Sequence, residues 1–363
     1  MTPMLRNWDI FCQVIDNYGD IGVCWRLARQ LANEHGLVVR LWVDQPEVLA
    51  AFCPVIDPSL PVSHYAGVEI RRWTPEFPEV TPADVVIEAF ACELPARYQQ
   101  AMATSGRQRR WINLEYLTAE PWAESCHGLA SPHPSLGLTK HFFFPGFSPS
   151  TGGLLREALL IERCESWQAQ QTRDGWLNIS LFCYDSAPVG GLIDLLAASE
   201  IPIRCHVPPG QPLAAVSTCL GGSGPWQRGM LTISPIPFLP QDEFDQLLWR
   251  CDINFVRGED SLVRAIWAGK PMIWQIYKQD DQAHLGKLAA FLDTYTQGMS
   301  ASSAAALKAI FTAWNTGQGL QSAWPNFMAW REEITESHKK WRKKLLDHGD
   351  IASQLVNFCA GDI

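Results

Sequence analysis

Residues 8–36 read WDIFCQVIDNYGDIGVCWRLARQLANEHG, and the order of pattern within them decides the fold class. The first part, 8–15, is mostly apolar. Ile21, Cys24, Trp25, Ala28, Leu31 and Ala32 then recur at helical spacing until Gly36 stops the pattern. Strand, polar loop and amphipathic helix in that order begin a βαβ unit. Working outward, strand-like runs follow at 38–43, 68–73, 84–90 and 110–114, with helical or loop material between them. The segment 131–153 holds four Pro and four Gly around His141-Phe142-Phe143-Phe144, and reads as an ordered linker. Beyond it the grammar repeats: strands at 176–184, 201–207, 230–233 and 252–256, with helices at 190–199, 211–220 and 241–251. Mixed with helices in this way, the strands predict parallel sheets covered on both faces.

A chain of 363 residues exceeds the size at which one hydrophobic core usually keeps growing, so two domains are expected. The boundaries read as 1–153 and 154–325, followed by a helical tail, 326–363, that packs back on the first domain. The tail's charge run HKKWRKK, 338–344, reads as a solvated helix face. With 47% apolar residues, 16 Trp and 16 Phe, disorder is excluded. A net charge of -9 argues against broad nucleic-acid binding and suits a cationic partner. The 11 Cys form no C-x-x-C pair, so reduced thiols in a cytoplasmic protein are expected, with no metal. No apolar run approaches the roughly 18 residues of a membrane span.

In parallel α/β domains, ligands bind outside the carboxyl ends of the strands, where loops enter helices. Two loops here have that position and unusual polarity. The first is Asp16-Asn17-Tyr18-Gly19-Asp20-Ile21-Gly22, whose glycines allow close backbone approach and whose acids lie where a substrate would meet them. Asp16 is placed to act as a base, or to form an Asx-turn; Asp20 is a candidate second carboxylate, or the helix N-cap. The second loop is Phe255-Val256-Arg257-Gly258-Glu259-Asp260-Ser261, where a glycine turn entering a helix would offer backbone N–H groups to a diphosphate. Glu259, Asp260 and Ser261 would either engage a nucleotide sugar or merely cap that helix. Phe182 and Tyr184 flank Cys183 and so share a face that would wall a sugar or base, with Cys183 turned into the sheet. A third polar loop contains Gln279, Asp280 and Gln282, while His284 reads as a structural histidine.

The stretches IFCQVIDNYGDIGVCWRLARQLA, LNISLFCYD and INFVRGEDSLVRAIWAGKPMIWQIY resemble those of the bacterial protein-arginine rhamnosyltransferases that mature elongation factor P. The resemblance extends over essentially the whole chain. It implies a GT-B fold, two Rossmann-like domains facing across a cleft, and an inverting transfer of L-rhamnose from dTDP-β-L-rhamnose to an arginine of elongation factor P. It further implies that Asp16 is the catalytic base or arginine-orienting acid, with Asp20 beside it, and that Asp16, Asn17, Tyr18 and Asp20 meet the acceptor. Phe182, Tyr184, Phe255, Arg257, Glu259, Asp260 and Ser261 would form the donor pocket, extended by Gln279, Asp280 and Gln282. No cofactor or metal is expected, since the sequence has no DxD motif or ligand cluster. Nucleic acid and membrane are not expected partners. The alternatives are a GT-B glycosyltransferase with another acceptor, or a noncatalytic nucleotide-sugar-binding protein.

Overall fold

A computed structural model of the chain describes residues 5–16, 18–107, 109–172, 174–278 and 283–361. These fall into two compact units, 5–158 with 345–361, and 159–344. The first unit contains β1 (Asn7–Cys12), α1 (Gly19–His35), β2 (Val38–Val43), α2 (Pro46–Phe52), β3 (Val62–Tyr65) and β4 (Val68–Arg72). It continues through β5 (Val85–Ala89), α3 (Ala96–Thr104), β6 (Arg110–Leu114), α4 (Trp122–Cys126), β7 (Ala130–Pro132) and β8 (Thr139–Phe143). Its sheet has the order β3-β4-β2-β1-β5-β6-β8-β7, parallel except for the outermost strands β3 and β7. Strand order reverses at β1, which pairs with both β2 and β5. That reversal opens a crevice at the carboxyl end of β1, where ligands gather in this class of sheet.

Two expectations need correction here. β1 ends at Cys12 and not at residue 15, because carboxylates take over the backbone donors beyond it: Val14 N–H donates to Asp44 Oδ1 at 2.9 Å and Ile15 N–H to Asp20 Oδ2 at 2.8 Å. The segment 131–153, expected as a linker, supplies strand β8, paired in parallel with β6. Phe143 is buried there, and the prolines of the segment lie outside the strand.

Inside this sheet, the aromatic side chains Phe11, Trp42, Phe77, Tyr98 and Trp111 form one packed cluster. Among them Asp9 is fully buried in the middle of β1. Its carboxylate receives Arg40 through two bonds of 2.6 Å, the Tyr98 hydroxyl, the Trp42 indole N–H at 3.3 Å and the Ala83 amide at 3.2 Å. A buried carboxylate is tolerable only when its oxygens are met in this way.

The second unit contains α5 (Leu160–Ala169), β9 (Leu177–Leu181), α6 (Val189–Ala197), β10 (Ile203–Val207), α7 (Gln211–Leu220), β11 (Trp226–Arg228) and β12 (Leu231–Pro235). There follow α8 (Gln241–Arg250), β13 (Ile253–Arg257), α9 (Asp260–Ala268), β14 (Met272–Gln275), α10 (Ala283–Tyr295), α11 (Ala301–Thr316), α12 (Leu320–Ala329) and α13 (Arg331–Leu346). The sheet order is β11-β12-β10-β9-β13-β14, with β11 antiparallel. Here the reversal falls at β9, between β10 and β13.

The tail is divided between the units. Almost all of α13 belongs to the second, fastened by the buried ring of His338, whose Nδ1 lies 2.7 Å from the Tyr295 hydroxyl and Nε2 3.0 Å from the Ile266 carbonyl. Burial lowers the His338 pKa to about 4, so the ring is neutral at pH 7. Lys339, Lys340, Lys343 and Lys344 of the charge run are exposed, while His338 and Trp341 face inward. The closing helix, Ile351–Ala360, belongs to the first unit, where Arg110 donates to the carbonyls of Cys359 at 3.2 Å and Gly361 at 2.6 Å. Gln30 of α1 reaches Asp350 at its start, at 3.0 Å.

Replacing Asp9 with Ala leaves Arg40 and Tyr98 without their shared acceptor. Unfolding in urea should show a loss of about 3–5 kcal/mol; a change within experimental error would remove the network from its stabilising role.

Candidate active site

The loop joining β1 to α1 is organised by Asp20. This residue is 3% exposed in the first turn of α1, and its Oδ2 accepts the amides of both Ile15 and Asp16 at 2.8 Å. The N-cap reading of Asp20 is therefore not what the structure contains. The N-cap is Tyr18, which makes no side-chain capping bond, and Asp20 points back across the loop. Its other oxygen receives the Tyr116 hydroxyl at 3.5 Å. Burial raises the Asp20 pKa above the ordinary carboxylate value, and the two amide bonds offset part of that rise.

Asp16 sits half-buried at the tip of this loop, with its carbonyl accepting the Gly19 amide at 2.7 Å. Its carboxylate lies against the α-carbon of Gly19, where an added Cβ would come within 2.9 Å of Oδ2. Glycine is needed there because any side chain would push the acid aside. Tyr18 is partly exposed and packs edge-on against Phe52. Asn17 lies outside the described residues. Beneath the loop, burial raises the pKa of the Cys12 and Cys24 thiols, so neither offers a thiolate nucleophile at neutral pH.

Sequence reasoning missed the neighbouring pair Phe90 and Tyr116, whose rings stack at 4.6 Å. Phe90 and Ala91 follow β5 with φ of 58° and 54°, a left-handed conformation costly for residues with side chains. The only local hint was that the loop after β5 also leaves the sheet at its carboxyl end.

In the second unit, the loops after β9 and β13 meet around Arg257. Its guanidinium lies over the rings of Phe182, at 5.0 Å, and Tyr184, at 4.5 Å. The alternation Phe182-Cys183-Tyr184 thus puts both aromatics against one cation, while Cys183 is buried and its thiol pushed up to about 12 by burial. Gln275, which sequence reasoning did not single out, holds this loop by accepting the Tyr184 amide at 2.8 Å and donating to Ser186 at 3.2 Å.

Gly258 has φ of 60° and its carbonyl accepts the Trp274 indole N–H at 2.8 Å, which fixes the sharp turn into α9. Glu259 is the N-cap but makes no side-chain capping bond, and Asp260 opens the helix; both are partly exposed. Two residues expected in the donor pocket have structural partners of their own. Phe255 is fully buried against Trp314, at 4.6 Å, and Trp324, at 6.2 Å, so its ring belongs to the core. Ser261 has its hydroxyl committed to the backbone of Arg257, accepting its N–H at 3.0 Å and donating to its carbonyl, so it closes the turn. Gln279, Asp280 and Gln282 lie outside the described residues. His284 is buried in the first turn of α10, as a structural histidine would be.

Among the described residues no group of three or more His, Cys, Asp or Glu is arranged to hold a metal ion. No described helix is long and apolar enough to cross a membrane. The 11 cysteines form no disulfide.

Comparison with known proteins gives a consistent picture. A family model described as elongation factor P (EF-P) rhamnosyltransferase EarP matches residues 8–360. A protein-arginine rhamnosyltransferase of Pseudomonas putida is 47% identical, with 98% of this chain and 99% of that protein covered. One of Neisseria meningitidis is 35% identical over 94% of this chain and 92% of its own. A solved structure concerned with EarP-mediated arginine glycosylation of EF-P is 35% identical, covers 97% of this chain and 98% of that one, and has a TM-score of 0.67. The MurG structure from Acinetobacter baumannii is 13% identical, with 98% and 99% covered and a TM-score of 0.51, which bears on the fold alone. The fold is GT-B, built from two Rossmann-like α/β domains.

The Asp20→Asn variant tests the electrostatics of the first loop. A carboxylate whose folded pKa is raised contributes most below its unfolded pKa and loses that contribution as pH climbs through the folded value. Relative to wild type, Asp20→Asn should therefore gain stability on going from about pH 3.5 to pH 7. Thermal unfolding at the two pH values measures this, and a relative loss would reverse the assignment.

Proposed function

The chain belongs to the family of elongation factor P rhamnosyltransferases, and on that premise we propose that it transfers L-rhamnose from dTDP-β-L-rhamnose to an arginine of elongation factor P, with inversion at the anomeric carbon. The observation that carries this reading is the family match along residues 8–360. In this reading residues 1–153 bind the acceptor arginine and 154–325 the nucleotide sugar. The enzyme works in the cytoplasm and engages neither nucleic acid nor membrane.

Asp16 is the base. A guanidinium has a pKa above 12 and is a poor nucleophile while fully protonated. Asp16 would hold one arginine nitrogen by a charge-assisted bond and accept its proton as that nitrogen bonds to the sugar and the C1–O bond to the diphosphate breaks. Asp20 supports this by fixing the Asp16 amide, so the acid meets the substrate already oriented. Tyr18 and Asn17 complete the acceptor loop.

The leaving group is a nucleoside diphosphate. Its charge would be met by Arg257 and by the backbone amides that open α9 after Gly258, with Glu259 and Asp260 accepting from sugar hydroxyls. Phe182 and Tyr184 wall the donor and keep the Arg257 guanidinium in place.

Incubation with dTDP-β-L-rhamnose and measurement of the intact mass of elongation factor P is the direct test. Addition of one deoxyhexose on arginine supports the proposal, and transfer to another acceptor or no transfer rejects it. Asp16→Asn should retain donor binding and lose at least about 10²-fold in turnover; near-normal turnover would take the base role from Asp16. Turnover should also persist after treatment with a chelator. Loss restored only by a divalent ion would give the neutralising role to a metal.

A further inference from the structure

We propose that the second unit carries a separate site for a multiply charged phosphate compound, at the opposite end of its sheet from Phe182, Tyr184 and Arg257. An open cavity of about 780 Å³ lies at the amino ends of β9, β10 and β13, a size typical of small-molecule sites. Arg204, Arg250, Lys270, Arg331 and Lys339 line it, brought together from β10, the end of α8, the turn after α9, and the start and middle of α13. The acids on its wall are Asp174 and Asp252.

Both acids are already engaged. Asp252 accepts the Asn178 amide at 2.9 Å, while Asp174 accepts the Trp176 amide at 3.2 Å and pairs with Arg204 at 3.1 Å. Lys339 is paired with Glu336 at 2.7 Å. Five lining cations stand against Asp174, Asp252 and Glu336, so the wall is positive on balance. Arg331 adds an independent sign: its Nη1 is buried with no hydrogen-bond partner, a costly state for a guanidinium unless a ligand or water completes it.

The shape and the walls select the ligand class. Cations from several elements converge on one concavity, which favours a compact group with several charges over an extended acidic chain. The Trp176 indole, beneath the Arg204 guanidinium at 4.6 Å, supplies flat surface beside the charge. A phosphate chain, with or without a nucleoside, fits this combination.

The test is calorimetric titration of the full chain with inorganic tripolyphosphate and with ATP, in the absence and presence of dTDP, at low and high salt. Binding should be salt-sensitive, persist in saturating dTDP, and weaken at least about tenfold in Arg250→Gln and Arg331→Gln. Tighter binding of ATP than of tripolyphosphate would identify a nucleotide; equal binding, an inorganic chain. Should Arg331→Gln fail to fold, the exposed pair Arg250→Gln and Lys339→Gln gives the same readout. No binding, full competition by dTDP, or unchanged affinity in the variants overturns the proposal. So does a raised KM for the protein acceptor in Arg250→Gln without tripolyphosphate binding, which would mark an acidic docking face. The titration needs no rhamnosyl transfer, so its failure is separable from failure of the transferase reading.

Discussion

The geometry of the first loop depends on one carboxylate oxygen. By accepting two consecutive amides, Asp20 Oδ2 ends β1 at Cys12 and turns the chain toward α1. Buried backbone donors at the end of a strand need acceptors, and here they come from a side chain instead of a neighbouring strand. The arrangement costs desolvation of a charge, which is visible as the raised pKa of Asp20. In return Asp16 stands at a fixed place beyond the strand, with only a glycine behind its carboxylate.

The second unit solves the same problem differently. Its reversal point also leaves loops at the carboxyl ends of adjacent strands, β9 and β13, but the turn after β13 is closed by a serine hydroxyl against the Arg257 backbone. A left-handed glycine then lets the chain enter α9. The residue held there is a guanidinium packed over two aromatic faces, a group whose chemistry suits anions where the acids of the first loop suit cations. The first sheet thus gathers acids after its reversal strand β1, while the second holds a guanidinium at the end of β13, the strand beside its reversal strand β9.

Much of this was legible because period and punctuation agree. The apolar run, polar loop and helical spacing of residues 8–36 locate β1, its loop and α1, and the turn at Gly258 is readable from glycine between a strand and a helix. What was hidden has physical causes. Strand β8 is a short apolar run among prolines, so composition argued for a loop while pairing with β6 decided for a strand. Phe255 lies in a strand buried along its whole length, where alternation cannot say which side faces a ligand. Ser261 has the right chemistry for a donor, but its hydroxyl is spent locally, a choice that spacing does not reveal. Tyr116 and Gln275 act through long-range contacts, to Asp20 and to Tyr184, that leave no local pattern.

The distribution of thiols has a practical consequence. Nine cysteines are buried, Cys126 is half-buried, and Cys219, in the last turn of α7, is exposed. Alkylating reagents that require an accessible sulfur will therefore react first at Cys219, far along the chain from Asp16 and outside the turns that surround Arg257. That preference provides a natural attachment point for a fluorophore or spin label, with no cysteine needing to be removed beforehand.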